Sequence, residues 1–177
     1  MIENLFSIPI YKSKVDQKKF HTIQLEIAKG IKNTQFKMNE KWGNTHYLSD
    51  IKFRDNFLIK HQCLTFLEEL HTKHLPNYLP SVRCPNNRHV VQSWAALFKK
   101  HNYGHIHGHY GSIAGVYYYK TKGSTGNLFF ANIYDYQNRV NIYGEEGDLL
   151  LFPAHLKHGI TTNTSDVERI SISFNFN

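Results

Sequence analysis

Gly104-His105-Ile106-His107-Gly108-His109-Tyr110-Gly111-Ser112-Ile113-Ala114-Gly115-Val116-Tyr117-Tyr118 is the stretch on which the fold of this chain turns. Its β-branched and aromatic residues, punctuated by glycine, predict two short strands over 105–109 and 112–120. Residues two apart on a strand point to one face, so His105, His107 and His109 share a face. Three such imidazoles repel one another when protonated and seldom serve packing, whereas neutral imidazoles bind Fe, Zn, Cu or Ni. Pairing His105 with His107 and pairing His107 with His109 satisfy the same geometric rule, and strand periodicity does not separate them. His158, on another extended segment, is the candidate third ligand. Three protein ligands leave coordination positions open, which points to a catalytic rather than a structural metal.

The extended character spreads outward from this stretch. From His89 onward, strands are predicted over 90–99, 105–109, 112–120, 127–133, 138–143, 148–152, 157–162 and 168–176. Lys122-Gly-Ser-Thr-Gly126, Tyr143-Gly-Glu-Glu-Gly147 and Asn163-Thr-Ser-Asp166 are the turns between them. Short strands in this number imply a sandwich or barrel. Upstream the patterns are helical. Leu5 to Lys14 reads as an opening strand that Pro9 confines to a sheet edge. Asp16 caps a helix to about Asn33, with Phe20, Ile23 and Ile27 on its buried side. Trp42 to Ser49 reads as a loop. Ser49 or Asp50 caps a second helix to about His71, in which Phe53, Phe57, Leu64 and Leu67 form a stripe widened by Ile59, Cys63, Phe66 and Leu70. The expected fold is therefore mainly β with N-terminal helices: a jelly roll in one domain over 1–177, where 1–88 is a helical support region and 89–177 supplies the core strands.

Bulk composition narrows the function. A chain of 177 residues with 41% hydrophobic content can bury one sizeable core. It holds no apolar run near the roughly 18 residues needed to span a bilayer, and Met1 to Phe6 lacks the pattern of a signal peptide, so a cytoplasmic protein with no membrane contact is expected. Cys63 and Cys84 are too few for a disulfide framework or zinc ribbon, and Cys63 reads as a small core residue. The net charge of +7 comes from Lys-rich segments such as 12–19 and reads as a solvated face, with a slight lean toward an acidic partner. No phosphate loop or nucleophile elbow is present. Glu68-Glu69 and Glu145-Glu146 are adjacent pairs, unlike glycosidase carboxylates. The scattered histidines 21, 46, 61, 71, 74, 89, 101 and 155 read as surface or satisfied core residues.

Gly104 to Tyr118, Gly147-Asp-Leu-Leu-Leu-Phe-Pro153, His158 and Glu168-Arg-Ile-Ser-Ile-Ser-Phe-Asn175 together resemble a family of 2-oxoglutarate/Fe(II)-dependent oxygenases of bacteria and phages. The likeness extends more weakly to Leu5 to Tyr11 and to Ser93-Trp94. In that family a His-x-His pair precedes a Ser-Gly-Val-Tyr-Tyr-like strand. Matching Gly115-Val-Tyr-Tyr118 implies that His107 and His109 form the pair, with Ala114 in place of the family's Ser and His105 outside the set. The resemblance further implies a double-stranded β-helix core, Fe(II) held by His107, His109 and His158, O2 as oxidant, and 2-oxoglutarate as co-substrate for hydroxylation. The substrate is unidentified: protein, nucleic acid or metabolite. The wider superfamily uses His-x-Asp or His-x-Glu with a distant His, so His109 stands where that carboxylate would be.

An Arg-x-Ser pair in the superfamily holds the far carboxylate of 2-oxoglutarate, which implies that role for Arg169 and Ser171; a planar guanidinium fork suits a carboxylate. Ile170, Ile172 and Phe174 form the opposite face of that strand, so Arg169 and Ser171 are expected in the barrel lumen. Alternation sends Tyr117 and Tyr119 to one face and Tyr118 to the other, so at least one phenol is expected inside. Tyr117, Tyr119 and, more weakly, Asn127 are the candidate co-substrate contacts. Asp148 reads as a turn residue and no ligand. Tyr103, His101 and His105 are candidate substrate contacts. The competing readings are a cupin-like three-histidine dioxygenase that does without 2-oxoglutarate, and a metal-binding module without turnover.

Overall fold

The computed structural model describes residues 7–40, 43, 45–50, 52, 56–83, 88–123, 125–132 and 138–177. In chain order the elements are β1 (Tyr11–Lys14), α1 (Gln17–Lys32), β2 (Lys37–Met38), β3 (Tyr47–Leu48), α2 (Phe57–Lys60), α3 (Leu64–Glu69), a π-type turn (Leu70–His74) and α4 (Leu75–Val82). They continue with β4 (Val90–Phe98), β5 (Gly104–His107), β6 (Ile113–Lys120), β7 (Leu128–Ala131), β8 (Arg139–Ile142), β9 (Asp148–Pro153), β10 (His158–Ile160) and β11 (Arg169–Phe176). The strands form a seven-stranded sheet, β1-β9-β6-β11-β4-β3-β2, and a four-stranded sheet, β5-β10-β7-β8. All named pairings are antiparallel. This is the expected two-sheet jelly roll, and no described helix is long and apolar enough to cross a membrane.

The large sheet is buried on both faces, because alternation splits each central strand between two cores. Tyr117, Leu149, Leu151, Ile172 and Phe174 pack against Ile23, Ile27, Phe66 and Leu70 of the helical layer. Val116, Tyr118, Leu150 and Phe152 face the small sheet's Leu128 and Phe130, while Leu48, Trp94, Ala96 and Phe98 form a third cluster. Each fully buried aliphatic or aromatic side chain contributes about 1.5–3 kcal/mol. That burial, rather than intrinsic propensity, holds the helices of four to eight residues, which are marginal alone.

The eight predicted strands after His89 are present within two residues at each described boundary, and residue 133 lies outside the described residues. Helix α1 also matches, with the Asp16 carboxylate accepting the Lys18 N–H at 2.8 Å. The second helix does not. Asp50 accepts from the Lys52 N–H in a local turn, and the helix starts instead at Phe57 under an Asn56 cap. Gln62, with φ 55°, then breaks it before it resumes at Leu64 and runs past His71 to Val82. The break shifts the phase of the stripe: Phe57, Cys63, Phe66 and Leu70 are buried, but Ile59 and Leu64 are exposed. Phe53 lies outside the described residues.

Two further expectations need correction. Only Tyr11–Lys14 of the opening strand pairs, with β9; Pro9 has no N–H to give a ladder, and its carbonyl instead accepts the Tyr78 hydroxyl at 3.0 Å. Leu5 and Phe6 lie outside the described residues, as do Trp42 and Cys84. Within the segment expected to be a loop, Tyr47–Leu48 adds to the edge of β4 and brings His46 to the interior.

Candidate active site

His107 ends β5, and in the ladder it stands directly opposite His158 at the start of β10. His109 follows just beyond β5, where its N–H donates to the Ala154 carbonyl at 2.8 Å and its ring stacks on Trp94 at 5.3 Å. The His107 Nδ1–H donates to the His105 carbonyl at 2.8 Å, and the His158 Nδ1–H donates to the Leu156 carbonyl at 2.7 Å. Those bonds assign the tautomer, leaving Nε2 of both rings as a lone-pair donor. His109 Nε2 lies 3.1 Å from His158 Nε2, and one ligand atom from each of the three rings falls within 4.8 Å of the others.

The spacing of the His109 and His158 nitrogens suits a metal. Two nitrogens about 2.1 Å from one ion and at right angles lie about 3.0 Å apart. Burial pushes His109 down to about 2 and His158 down to about 3, with the neighbouring imidazoles adding to each shift. His107 is also lowered, chiefly by burial. Near neutral pH the three rings are therefore uncharged, the form that ligates. His105 points away, exposed, with Tyr103 against its edge at 5.0 Å.

Arg169 opens β11 in the same cavity and is 0% exposed. Its guanidinium carbon lies 5.1 Å from the ring centres of both Phe98 and Tyr118. Among the described residues, Nε, Nη1 and Nη2 make no hydrogen bond of good geometry and no carboxylate pairs with the group; the Tyr118 phenol beside it is the polar side chain that favours its charged form. Burial lowers its pKa from the usual value. A buried charge with no carboxylate partner costs several kcal/mol, a cost that a bound anion would offset, and the planar fork fits a carboxylate. Ser171 and Ser173 follow on the same face and line the cavity. The donor set and the orphaned guanidinium thus fit iron and a dicarboxylate respectively.

The tyrosines fall differently from expectation. Tyr117 and Tyr119 point to the helical layer, where Tyr117 packs on Phe66 at 4.8 Å, so neither reaches the cavity. Tyr118, opposite Ser171 in the ladder, is the phenol on the inner face, and its buried hydroxyl lies beside the Arg169 guanidinium. Asn127 does not line the cavity either: its N–H donates to Thr161 Oγ1 and its carbonyl accepts the Thr161 N–H, at 2.8 and 2.9 Å. Asp148 is the turn residue expected, ion-paired to Lys12 at 3.1 Å and far from the histidines in the fold. His46 is the residue that sequence reasoning missed. It is 4% exposed, lines the cavity and stacks on Phe98 at 4.7 Å. Burial pushes it down to about 4, with nearby positive charge adding to the shift. Only the pairing of β3 with β4 puts it there, and that long-range contact leaves no local signal.

Residues 92–175 match the family model described as "Putative 2OG-Fe(II) oxygenase". No curated protein matches the sequence. Among solved structures, the α-ketoglutarate-dependent carbocyclase SnoK of nogalamycin biosynthesis superposes with a TM-score of 0.74 at 11% identity, covering 96% of this chain and 79% of its own. A prolyl-4-hydroxylase from Pseudomonas putida gives 0.63 at 12% identity, over 97% and 88%. HygX from Streptomyces hygroscopicus, solved with nickel, 2-oxoglutarate and hygromycin B, gives 0.64 at 9% identity, over 96% and 83%. At these identities the likeness establishes the fold, while the family match covers the triad and Arg169 alike. Residues 92–175, which carry the three histidines and Arg169, are thus similar to the 2OG-Fe(II) oxygenase family.

Proposed function

We propose that this protein is a hydroxylase in which His107, His109 and His158 hold Fe(II) and Arg169 takes the far carboxylate of 2-oxoglutarate. The observation that carries the reading is the fully buried guanidinium, with no carboxylate partner among the described residues, in the same cavity as three converging imidazoles. Iron with 2-oxoglutarate and O2 supplies the oxidising chemistry that hydroxylates a C–H bond. The protein's residues do the rest. The carbonyls of His105 and Leu156 fix the ring tautomers of His107 and His158. Phe98 and Tyr118 flank the guanidinium, which leaves its edge to hydrogen-bond a carboxylate. Ser171 lines the cavity beside it, and the Tyr118 hydroxyl adjoins the guanidinium from the inner face of β6, each a further donor. The walls of Leu48, Trp94, Leu128 and Phe152 exclude water from the reacting centre.

The proposal treats 1–177 as one oxygenase domain, supported by the apolar cluster that joins helices of the 1–88 region to strands of 89–177. A cytoplasmic setting belongs to it too, in keeping with the free thiol of Cys63. Among the described residues no acidic residue joins the three-histidine cluster, which favours a second reading, a dioxygenase that does without 2-oxoglutarate. Anaerobic titration of the Fe(II) protein with 2-oxoglutarate separates them. A visible metal-to-ligand charge-transfer band is expected; iron binding without that band overturns the leading reading.

A further inference from the structure

The charges around this cavity do not balance. Its lining includes Arg169 and the three imidazoles but no Asp or Glu among the described residues. The groove on the outer side of the small sheet, lined by Tyr103, His105, Phe129 and Arg139 among others, likewise has no carboxylate. The sequence shows the same bias: between His89 and Gly144 the one acidic residue is Asp135, outside the described residues, against Lys99, Lys100, Lys120, Lys122 and Arg139. Lys157, exposed next to His158, extends the positive sign toward solvent.

With a divalent cation on the histidines, the cation and Arg169 together bring three positive charges. A 2-oxoglutarate dianion removes two of them. In a site with an acidic metal ligand the last is cancelled; here a neutral imidazole, His109, occupies that position. The remaining charge sits among Leu48, Trp94, Phe98, Val116, Leu128 and Phe152, where low polarity strengthens its pull on any anion.

We propose that the substrate carries an anionic group, a carboxylate or a phosphate, which comes to rest against the histidine cluster and supplies the charge an acidic ligand would have supplied. This rests on the iron and 2-oxoglutarate reading above and names the substrate class for that site. Neutral substrates, by the same reasoning, leave one uncompensated charge in an apolar cavity and bind less well.

The test uses anaerobic Fe(II) protein saturated with 2-oxoglutarate, titrated with acetate, methyl phosphate and neutral acetamide. Binding is read from the heat released and from the shift of the charge-transfer band. At least one anion is expected to bind about tenfold or more tightly than acetamide while the band persists. Preference for acetate marks carboxylate-bearing substrates and preference for methyl phosphate marks phosphate-bearing ones; either supports the inference. In His109→Asp, which restores an acidic ligand, the preference is expected to fall toward unity; His109→Glu serves if the Asp variant does not hold iron. Equal binding of anions and acetamide in the unsubstituted protein overturns the inference, and so does loss of the band as the anion displaces 2-oxoglutarate. An undiminished preference in an iron-loaded variant also overturns it. Failure of 2-oxoglutarate to produce any band sinks the parent reading, a result distinguishable from all of these.

Discussion

His107 and His158 face one another across β5 and β10, and each donates its Nδ1–H to the backbone carbonyl two residues before it, that of His105 or Leu156. The shared arrangement presents two Nε2 atoms from rigid strands without a side-chain carboxylate to orient them. The His105 carbonyl belongs to β5 and that of Leu156 to the turn that leads into β10, so backbone on each side holds a ring, and in the proposed site both Nε2 atoms are oriented toward the metal.

Replacing His107, His109 or His158 singly by Ala is expected to weaken metal binding by more than about 100-fold, beyond the roughly 10–100-fold cost of losing an outer-shell partner. Titration with Co(II), followed by its visible spectrum, measures this. Retention of near-native affinity in any one variant removes that histidine from the metal set.

Arg169→Met is expected to leave the metal-free protein as stable as before or more so, because an apolar side chain of similar volume replaces an unpaired buried charge. Its 2-oxoglutarate affinity is expected to fall about 100-fold or more, as charge-assisted hydrogen bonds are lost. Urea denaturation and calorimetric titration read the two effects. A large loss of stability with unchanged affinity makes the guanidinium structural.

Tyr118→Phe and Tyr117→Phe each delete a buried hydroxyl, but on opposite faces of β6. The first is expected to weaken 2-oxoglutarate binding several-fold, by the roughly 0.5–1.5 kcal/mol of one hydrogen bond. The second is expected to leave it unchanged. Equal effects on binding contradict the assignment of faces to function.

The pH dependence of stability follows from the buried imidazoles. His46, His109 and His158 are pushed down to about 4, 2 and 3, below the usual histidine value of about 6.5 that they regain on unfolding. The unfolded chain therefore binds more protons below pH 6.5. The stability these groups contribute is complete above that pH and is lost as pH falls toward 4, at about 1.4 kcal/mol per pH unit for each imidazole fully protonated only when unfolded. Urea denaturation of the metal-free protein at pH 8, 6 and 5 is expected to show a plateau followed by a decline. A flat profile from pH 6.5 to 5 means that these rings are protonated in the folded state.

His109 lies past the end of β5, where alternation no longer sets its direction, whereas the sequence by itself determined the strands from Val90 to Phe176, the capped helix after Asp16, and the same-face spacing of Arg169 with Ser171. Each of these is local, because period-2 alternation, turn residues and a capping side chain act within a few positions. Tertiary structure alone decided which face was which. Tyr117 and Tyr118 are both buried, at 0% and 1% exposure, so no contrast of polar and apolar residues marks the side that meets the cavity. The helical layer claims Tyr117 because it covers one face of the large sheet, and Tyr118 is left facing Arg169. The same is true of His46, whose two-residue strand is stabilised only by β4 beside it, and of the helix broken at Gln62, whose phase was fixed by packing on the sheet. Local pattern encodes that a side chain is buried; the partner it is buried against is set by contacts far away in the chain.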